Sequence, residues 1–205
     1  MALKRSSLFV PMLAALAALT LAVPARAQDD ASREEMTRLE KVVARDSSKV
    51  DNLYKLGVLY LDHDRALDAT RVLTRAVVVD PKNVKALVNL GVAWDAGGKP
   101  QLAQAYYEKA LKISPKDPVA KCRLASSIYA QSQYTRAVNL LREIMDESPT
   151  AHCGYFTMGV AFADAGIYRD AIRMWKKVVE LAPESQEAIS ARESIEVLEK
   201  FVLKQ

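Results

Sequence analysis

The chain has few of the residues from which catalytic and metal centres are usually built. It contains two histidines and two cysteines in 205 residues, and their spacing fits no zinc-binding motif. It also has no Walker A loop, no H-E-x-x-H pair, no G-x-S-x-G elbow and no C-x-x-C pair. The sequence therefore predicts a protein that is not an enzyme, with no metal site and no cofactor.

Glycine and proline are also scarce, with 7 and 8 residues respectively. This excludes collagen-like and low-complexity chains. Half of the residues are apolar and 26% are charged, which is enough apolar material for a packed core. No run of Lys and Arg alternates with aromatic residues, so nucleic-acid binding is not expected.

One apolar run of membrane-like character occurs, and it lies at the N-terminus. Lys4 and Arg5 precede an uncharged stretch from Leu8 to Val23, and the small-x-small triplet Ala25-Arg26-Ala27 follows it. These are the three parts of a secretory signal peptide. A retained membrane anchor is the alternative, but the run of about 16 residues is shorter than a bilayer requires. We expect cleavage after Ala27 and export, to the periplasm if the host is Gram-negative.

The predicted signal peptide also carries most of the net positive charge. Of 29 basic residues, three lie in residues 1–27, which hold no acidic residue, so 26 basic and 25 acidic residues remain. A nearly neutral mature chain gives no reason to expect an anionic polymer or lipid as its partner.

A 34-residue period runs through the rest of the sequence. Three classes of residue repeat in one phase: Pro81, Pro115, Pro149 and Pro183; Ala69, Ala103, Ala137 and Ala171; Gly57, Gly91, Ala125 and Gly159. Apolar residues within each unit are spaced three and four apart, as on one face of a helix. Each proline ends the second helix of its unit, because proline cannot continue a helix.

The pattern resembles the tetratricopeptide repeat, whose 34-residue signature is W-x2-L-G-x2-Y…A-x3-F…P. The second unit shows it well, with Leu87, Leu90-Gly91, Trp94, Ala103, Tyr107 and Pro115. The resemblance covers residues 50–185 and implies an all-α solenoid, a right-handed superhelix of four helix pairs. The third unit departs most, since Lys121 and Ala125 replace a large apolar residue and a glycine, and we expect a looser contact between its helices.

The repeat phase divides the chain into seven segments. They are the signal peptide 1–27, an N-terminal helix serving as a half-repeat cap in 28–49, four repeats at 50–83, 84–117, 118–151 and 152–185, and a capping helix in 186–205. The first (A) helices are predicted at 51–62, 85–97, 119–131 and 153–165, and the second (B) helices at 66–79, 100–113, 134–147 and 168–181. Single helices are predicted at 32–46 and 185–202, with residues 28–31 disordered.

In tetratricopeptide-repeat proteins the A helices line a concave groove that binds peptides. The resemblance therefore implies a groove lined here by Tyr54, Val58, Leu61, Lys85, Val88, Val92, Asp95, Tyr129, Phe156 and Val160, with Val119, Cys122 and Ser126 beside them. Several of these are apolar, which indicates a partner that covers them. The alternative is that tight curvature buries them against neighbouring A helices.

Cys122 and Cys153 lie near the starts of adjacent A helices and on the same side by phase. An oxidising compartment permits a disulfide between them, but the spacing is equally compatible with two half-buried thiols, so both interpretations stay open.

The most economical functional hypothesis is a non-catalytic scaffold or adaptor of the cell envelope, which binds a segment of a partner protein in the concave groove. One alternative is a structural oligomer that self-associates through the groove or through the apolar tail at 201–203. A second is a chaperone for unfolded exported chains.

Overall fold

The computed structural model describes residues 25–202, and in this part of the chain all regular structure is α-helical. The helices are α1 (Ala25–Arg45), α2 (Val50–Asp62), α3 (Ala66–Val79), α4 (Val84–Ala96), α5 (Pro100–Ile113), α6 (Pro118–Ala130), α7 (Tyr134–Glu147), α8 (His152–Asp164), α9 (Tyr168–Leu181) and α10 (Gln186–Val202). Consecutive helices pack against each other along the whole array. The predicted all-α solenoid is confirmed.

The eight repeat helices begin and end within one residue of their predicted positions. Asn83 and Asp117 accept hydrogen bonds from the backbone N–H groups of Ala86 and Ala120 and so cap α4 and α6. Between the A and B helices, one residue per unit has a positive φ. These residues, Asp64, Gly98, Ser132 and Gly166, are again 34 apart, with φ between 58° and 73°.

The N-terminal helix is longer than predicted, and the expectation of disorder at 28–31 is wrong. Asp29 pairs with Arg33 at 2.9 Å, and the Ser32 hydroxyl lies 2.9 Å from Nε2 of His63 in the turn between α2 and α3. The first contact lies within α1, and the second holds the beginning of α1 against the first repeat. The predicted signal peptide lies outside the described residues except for its last three, which begin α1.

The recurring glycines mark the closest approach of each A helix to its B helix. A Cβ on Gly57 would lie 2.5 Å from Cγ of Leu73, and Gly91 and Gly159 face Tyr107 and Trp175 in the same way. These large side chains are buried. Glycine is therefore required at these positions for packing and not for backbone conformation.

In the third unit, charged side chains form part of the contact between the A helix and the B helix. Lys121 replaces the buried leucine of the first two units, and its ammonium contacts Glu143 at 2.6 Å and Glu147 at 2.7 Å on α7. Burial alone would lower the pKa of Lys121, but the hydrogen bonds to the two glutamates outweigh it and raise that pKa. The same contact lowers the pKa of Glu147. A polar link between α6 and α7 thus stands where other units have an apolar one.

Both ends of the array are closed by single helices. α1 occupies the place of a B helix ahead of the first repeat, and α10 packs on α9 with Ala188 and Ala191 fully buried. Among the helices described, none combines the length and apolar character needed to cross a bilayer.

Candidate functional site

The candidate site lies on the surface formed by the A helices. α2, α4, α6 and α8 each contact the next A helix in the series, and α10 contacts α8. Because every A helix presents the same register of residues to this surface, the side chains one repeat apart form rows along the solenoid.

In the first two units, much of the predicted groove is filled. Tyr54 and Leu61 are half-buried against the first core cluster, and Val92 is half-buried against the second. Val88 is only 5% exposed and is part of the core. Of the predicted groove residues, Val88 thus lies in the second core cluster and not on the open surface. Val58 is half-buried and Lys85 exposed.

Asp95 is engaged by the protein itself. Tyr107 of α5 donates a hydrogen bond to one of its carboxylate oxygens at 2.8 Å, and Ser127 of α6 donates to the other at 2.9 Å. Burial raises the pKa of Asp95 even though both hydrogen bonds oppose that shift. Asp95 therefore joins the second repeat to the third.

The open part of the surface lies between α6 and α8. A cavity of about 370 Å³ is bounded there by residues of both helices and by the start of α10. Val119, at the first turn of α6, is 54% exposed at its edge, and Phe156 and Val160 of α8 form its apolar wall. We call this cavity the α6–α8 groove. Of the ten residues predicted to line the groove it brings together Tyr129, Phe156 and Val160, and the residues predicted beside them, Val119, Cys122 and Ser126, also line it.

Hydrogen bonds fix the side chains around the α6–α8 groove. Tyr129 donates to Asp164 at 2.8 Å, and burial together with this bond raises the pKa of Tyr129 to about 12. The hydroxyls of Ser126 and Thr157 lie 3.0 Å apart across the two helices. These links set the separation of α6 and α8, so the groove is largely formed before any partner arrives.

A disulfide joins the two cysteines at the base of the α6–α8 groove. Cys122 and Cys153 have their Cα atoms 6.0 Å apart, which lies in the usual range for such bridges. Of the two interpretations left open by the sequence, the structure contains the bridge. It links the A helices of the third and fourth units covalently.

Three charged or titratable residues of the α6–α8 groove were missed by sequence reasoning. Arg123 is one turn beyond Val119 on α6, so its position could have been found from helical spacing. His152 and Glu187 lie 3.8 Å apart at the end of the groove. Glu187 belongs to α10, which the sequence predicts only as a capping helix, and no repeat signal places Glu187 beside the groove.

Comparison with known families settles the nature of the repeats. Two family models, both described as tetratricopeptide repeat, match residues 54–118 and 95–153. The chain carries tetratricopeptide repeats. The matched ranges include α6 and the beginning of α8, so the helices that build the groove belong to the repeat array.

Curated relatives share the repeats over part of their length. The cytochrome c-type biogenesis protein CycH of Pseudomonas aeruginosa is 29% identical over 60% of this chain and 31% of its own. The mitochondrial import receptor subunit TOM70 of Homo sapiens is 22% identical over 72% of this chain and 26% of its own. The chain thus spans at most about a third of these proteins.

Solved structures show the same fold over most of the chain. TTC0263, a protein of Thermus thermophilus, superposes with a TM-score of 0.69 over 83% of this chain and 92% of its own, at 15% identity. MamA superposes with a TM-score of 0.61 over 77% and 94%, at 22% identity. YrrB, described as a tetratricopeptide-repeat protein with an unusual peptide-binding site, has a TM-score of 0.55 over 82% and 86%, at 18% identity.

Proposed function

We propose that this protein is a non-catalytic adaptor that binds a segment of a partner protein in the α6–α8 groove. The observation that carries the proposal is the exposed apolar edge at Val119 facing the apolar wall of Phe156 and Val160. Tetratricopeptide repeats are typically protein-interaction scaffolds, and YrrB and the import receptors among the relatives are named for peptide or protein recognition.

The chemistry of the α6–α8 groove limits what can bind there. The apolar wall accepts one or two apolar side chains, while Arg123 and Glu187 offer opposite charges nearby. A short segment with an apolar anchor and flanking charges of both signs satisfies this pattern. The disulfide and the paired hydroxyls hold the two walls, so little ordering is needed on binding.

The same features support a location in the cell envelope. The N-terminal leader predicts export, and a disulfide is stable in oxidising compartments such as the periplasm. CycH is itself named for the biogenesis of c-type cytochromes. The proposed partner is therefore another envelope protein.

Self-association is the second candidate function, and the outer face of α10 favours it. Ile189, Val197 and Phe201 are exposed there, although Phe201 also contacts Tyr168 edge-on. Sedimentation velocity across a hundredfold range of concentration separates the candidates. A concentration-dependent increase in size that Val197→Glu abolishes supports the oligomer, and a constant monomer supports the adaptor.

The adaptor proposal is tested by affinity capture from the native envelope with a variant that disrupts the groove. Val119→Glu with Arg123→Glu places two carboxylates at the groove without altering a buried residue. The matched control is Leu67→Glu, because Leu67 is 83% exposed on α3 and lies outside the groove. Circular dichroism establishes that both variants keep the helical fold.

We expect one or a few proteins to be captured by the wild type and by Leu67→Glu, and to be lost with the groove variant. Synthetic peptides from the captured protein then identify the bound segment. Capture that is unchanged by the groove variant contradicts the proposal.

A further inference from the structure

A second groove lies between α1 and α3, away from the α6–α8 groove. It encloses about 730 Å³. Leu53 and Leu56 of α2 form its floor, and Val43, Val72 and Val78 form its apolar walls. We call it the α1–α3 groove. Its two walls are helices that occupy the B position in successive units, and the A helix between them lies beneath.

The repeat itself shows that one wall of this groove is unusual. Val78 of α3 is 66% exposed. The residues at the same position of the later B helices are Lys112, Asp146 and Glu180, which are charged as a solvated face requires. An exposed valine therefore occurs at this position in the first unit, on the wall of the α1–α3 groove. A partner that covers Val78 explains the substitution.

The rim of the α1–α3 groove is basic. Arg65, Arg71 and Arg75 line it together with a single carboxylate, that of Glu40. Arg65 contacts Asp68 at 2.7 Å and Glu40 at 3.4 Å, and Arg71 shares Asp68 at 3.1 Å. Arg75 makes no ion pair with any residue from 25 to 202. The groove thus offers positive charge that the chain itself leaves uncompensated.

We propose that the α1–α3 groove binds an acidic amphipathic helix of a partner protein. Arg71 and Arg75 are one turn apart on the same face of α3, so a bound helix with carboxylates at i and i+4 meets both. The apolar face of that helix lies on the leucine floor and covers Val78. This binding surface is additional to the α6–α8 groove and does not depend on it.

A protein helix fits this groove better than a phosphate-bearing surface does. Nucleic acids and anionic membranes are attracted by exposed basic residues without needing an apolar trough several residues long. Here the apolar floor is deep and the arginines stand at its rim. The combination of an apolar seam with flanking charge is the pattern by which helices recognise each other.

The experiment uses two synthetic helical peptides of about 14 residues, or four helical turns. Both carry leucines on one face, and the flanking positions hold glutamates in the first peptide and lysines in the second. Binding to the purified protein is measured by fluorescence anisotropy. We expect the glutamate peptide to bind at least about tenfold more tightly than the lysine peptide, with an affinity that falls as salt rises.

Variants locate the binding. Arg75→Glu should weaken the binding of the glutamate peptide about tenfold. The matched control Lys109→Glu makes the same kind of change at the same repeat position of α5 and should have little effect. Val78→Ser, which removes apolar contact without changing the charge, should weaken the binding of both peptides. Val119→Glu should leave the binding of both peptides unchanged. The proposal for the α1–α3 groove is thereby tested separately from the proposal for the α6–α8 groove.

Several results would overturn the proposal. They are equal binding of the two peptides, binding of neither, or an effect of Lys109→Glu as large as that of Arg75→Glu. Co-sedimentation with phosphatidylglycerol vesicles tests whether a membrane surface binds to the same groove. Vesicle binding that Arg75→Glu abolishes, in the absence of peptide binding, would replace the acidic helix with a membrane surface.

Discussion

At the residue scale, the close packing around the repeated glycines predicts that a larger side chain there destabilises the protein. A methyl group on Gly91 would overlap the ring of Tyr107, which is buried and held by its hydrogen bond to Asp95. Because the ring has no space to withdraw into, Gly91→Ala should lower the free energy of unfolding by about 1–3 kcal/mol. Urea denaturation measures this directly.

The control for that substitution comes from the third repeat, where Ala125 takes the place of the glycine. Ala125→Gly removes a methyl group from a helix and should cost about 0.5–1 kcal/mol through backbone entropy. If Gly91→Ala is neutral or stabilising, the contact with Tyr107 does not limit the residue at this position.

The contact between Lys121 and Glu147 leads to a prediction about how the stability of the protein depends on pH. The pKa of Glu147 is lowered by its contact with Lys121, so the pair contributes stability above the ordinary glutamate pKa of 4.5 and loses it as the pH falls through the lowered value. Lys121→Leu, the residue of the first two repeats, should remain folded at pH 7. It should lose less stability than the wild type between about pH 5 and pH 3.

Thermal unfolding of the two proteins across that range checks the prediction. Other carboxylates titrate in both proteins, so the difference between the two curves isolates the pair. Parallel curves would show that Glu143 and Glu147 contribute nothing through Lys121. On the alkaline side, the raised pKa of Lys121 means that the contribution is lost only as the pH rises through that raised value.

At the scale of the element, the disulfide makes α6 and α8 one unit. It closes a loop between residues 31 apart in sequence, and loss of such a cross-link typically costs about 2–4 kcal/mol. Reductant should therefore lower the midpoint of thermal unfolding of the wild type. Cys122→Ala with Cys153→Ala should unfold at the lower temperature with or without reductant. Two reactive thiols in protein purified from the envelope would contradict this account.

The helices themselves were predictable from the sequence, but the start of α1 was not. A proline follows the end of each B helix, and the 34-residue phase carries the assignment from one unit to the next, whereas α1 has no earlier copy to compare with. Its first turns are ordered by contacts of Asp29 and Ser32 with their neighbours. Such contacts depend on tertiary structure and leave no periodic signal.

For the candidate site, the sequence predicts which side of the solenoid it lies on but not which residues of that side are exposed. Repeat phase places Val88 and Val119 on the same side of the solenoid, yet one is buried and the other exposed. The difference arises from how closely successive A helices pack, which depends on side chains from two repeats at once. The α1–α3 groove was missed entirely, although a valine at 78, where later units are charged, was a visible signal.

At the scale of the whole molecule, the two proposed binding grooves lie in different repeats. The α6–α8 groove lies between A helices near the C-terminal end, and the α1–α3 groove lies between B helices near the N-terminal end. If both proposed grooves bind segments of one partner, linked binding would raise the overall affinity well above that of either segment. Variants of the two grooves should therefore weaken the binding of a common partner more together than separately.

The central claim is that a partner segment lies in the α6–α8 groove, and site-specific photo-crosslinking in living cells tests it most directly. A benzophenone side chain replaces Val119 in one strain and Leu67 in another, both of which are exposed positions. We expect a discrete crosslinked product to a partner protein from position 119 and none from position 67. A partner crosslinked from position 67, with none from position 119, would contradict the account.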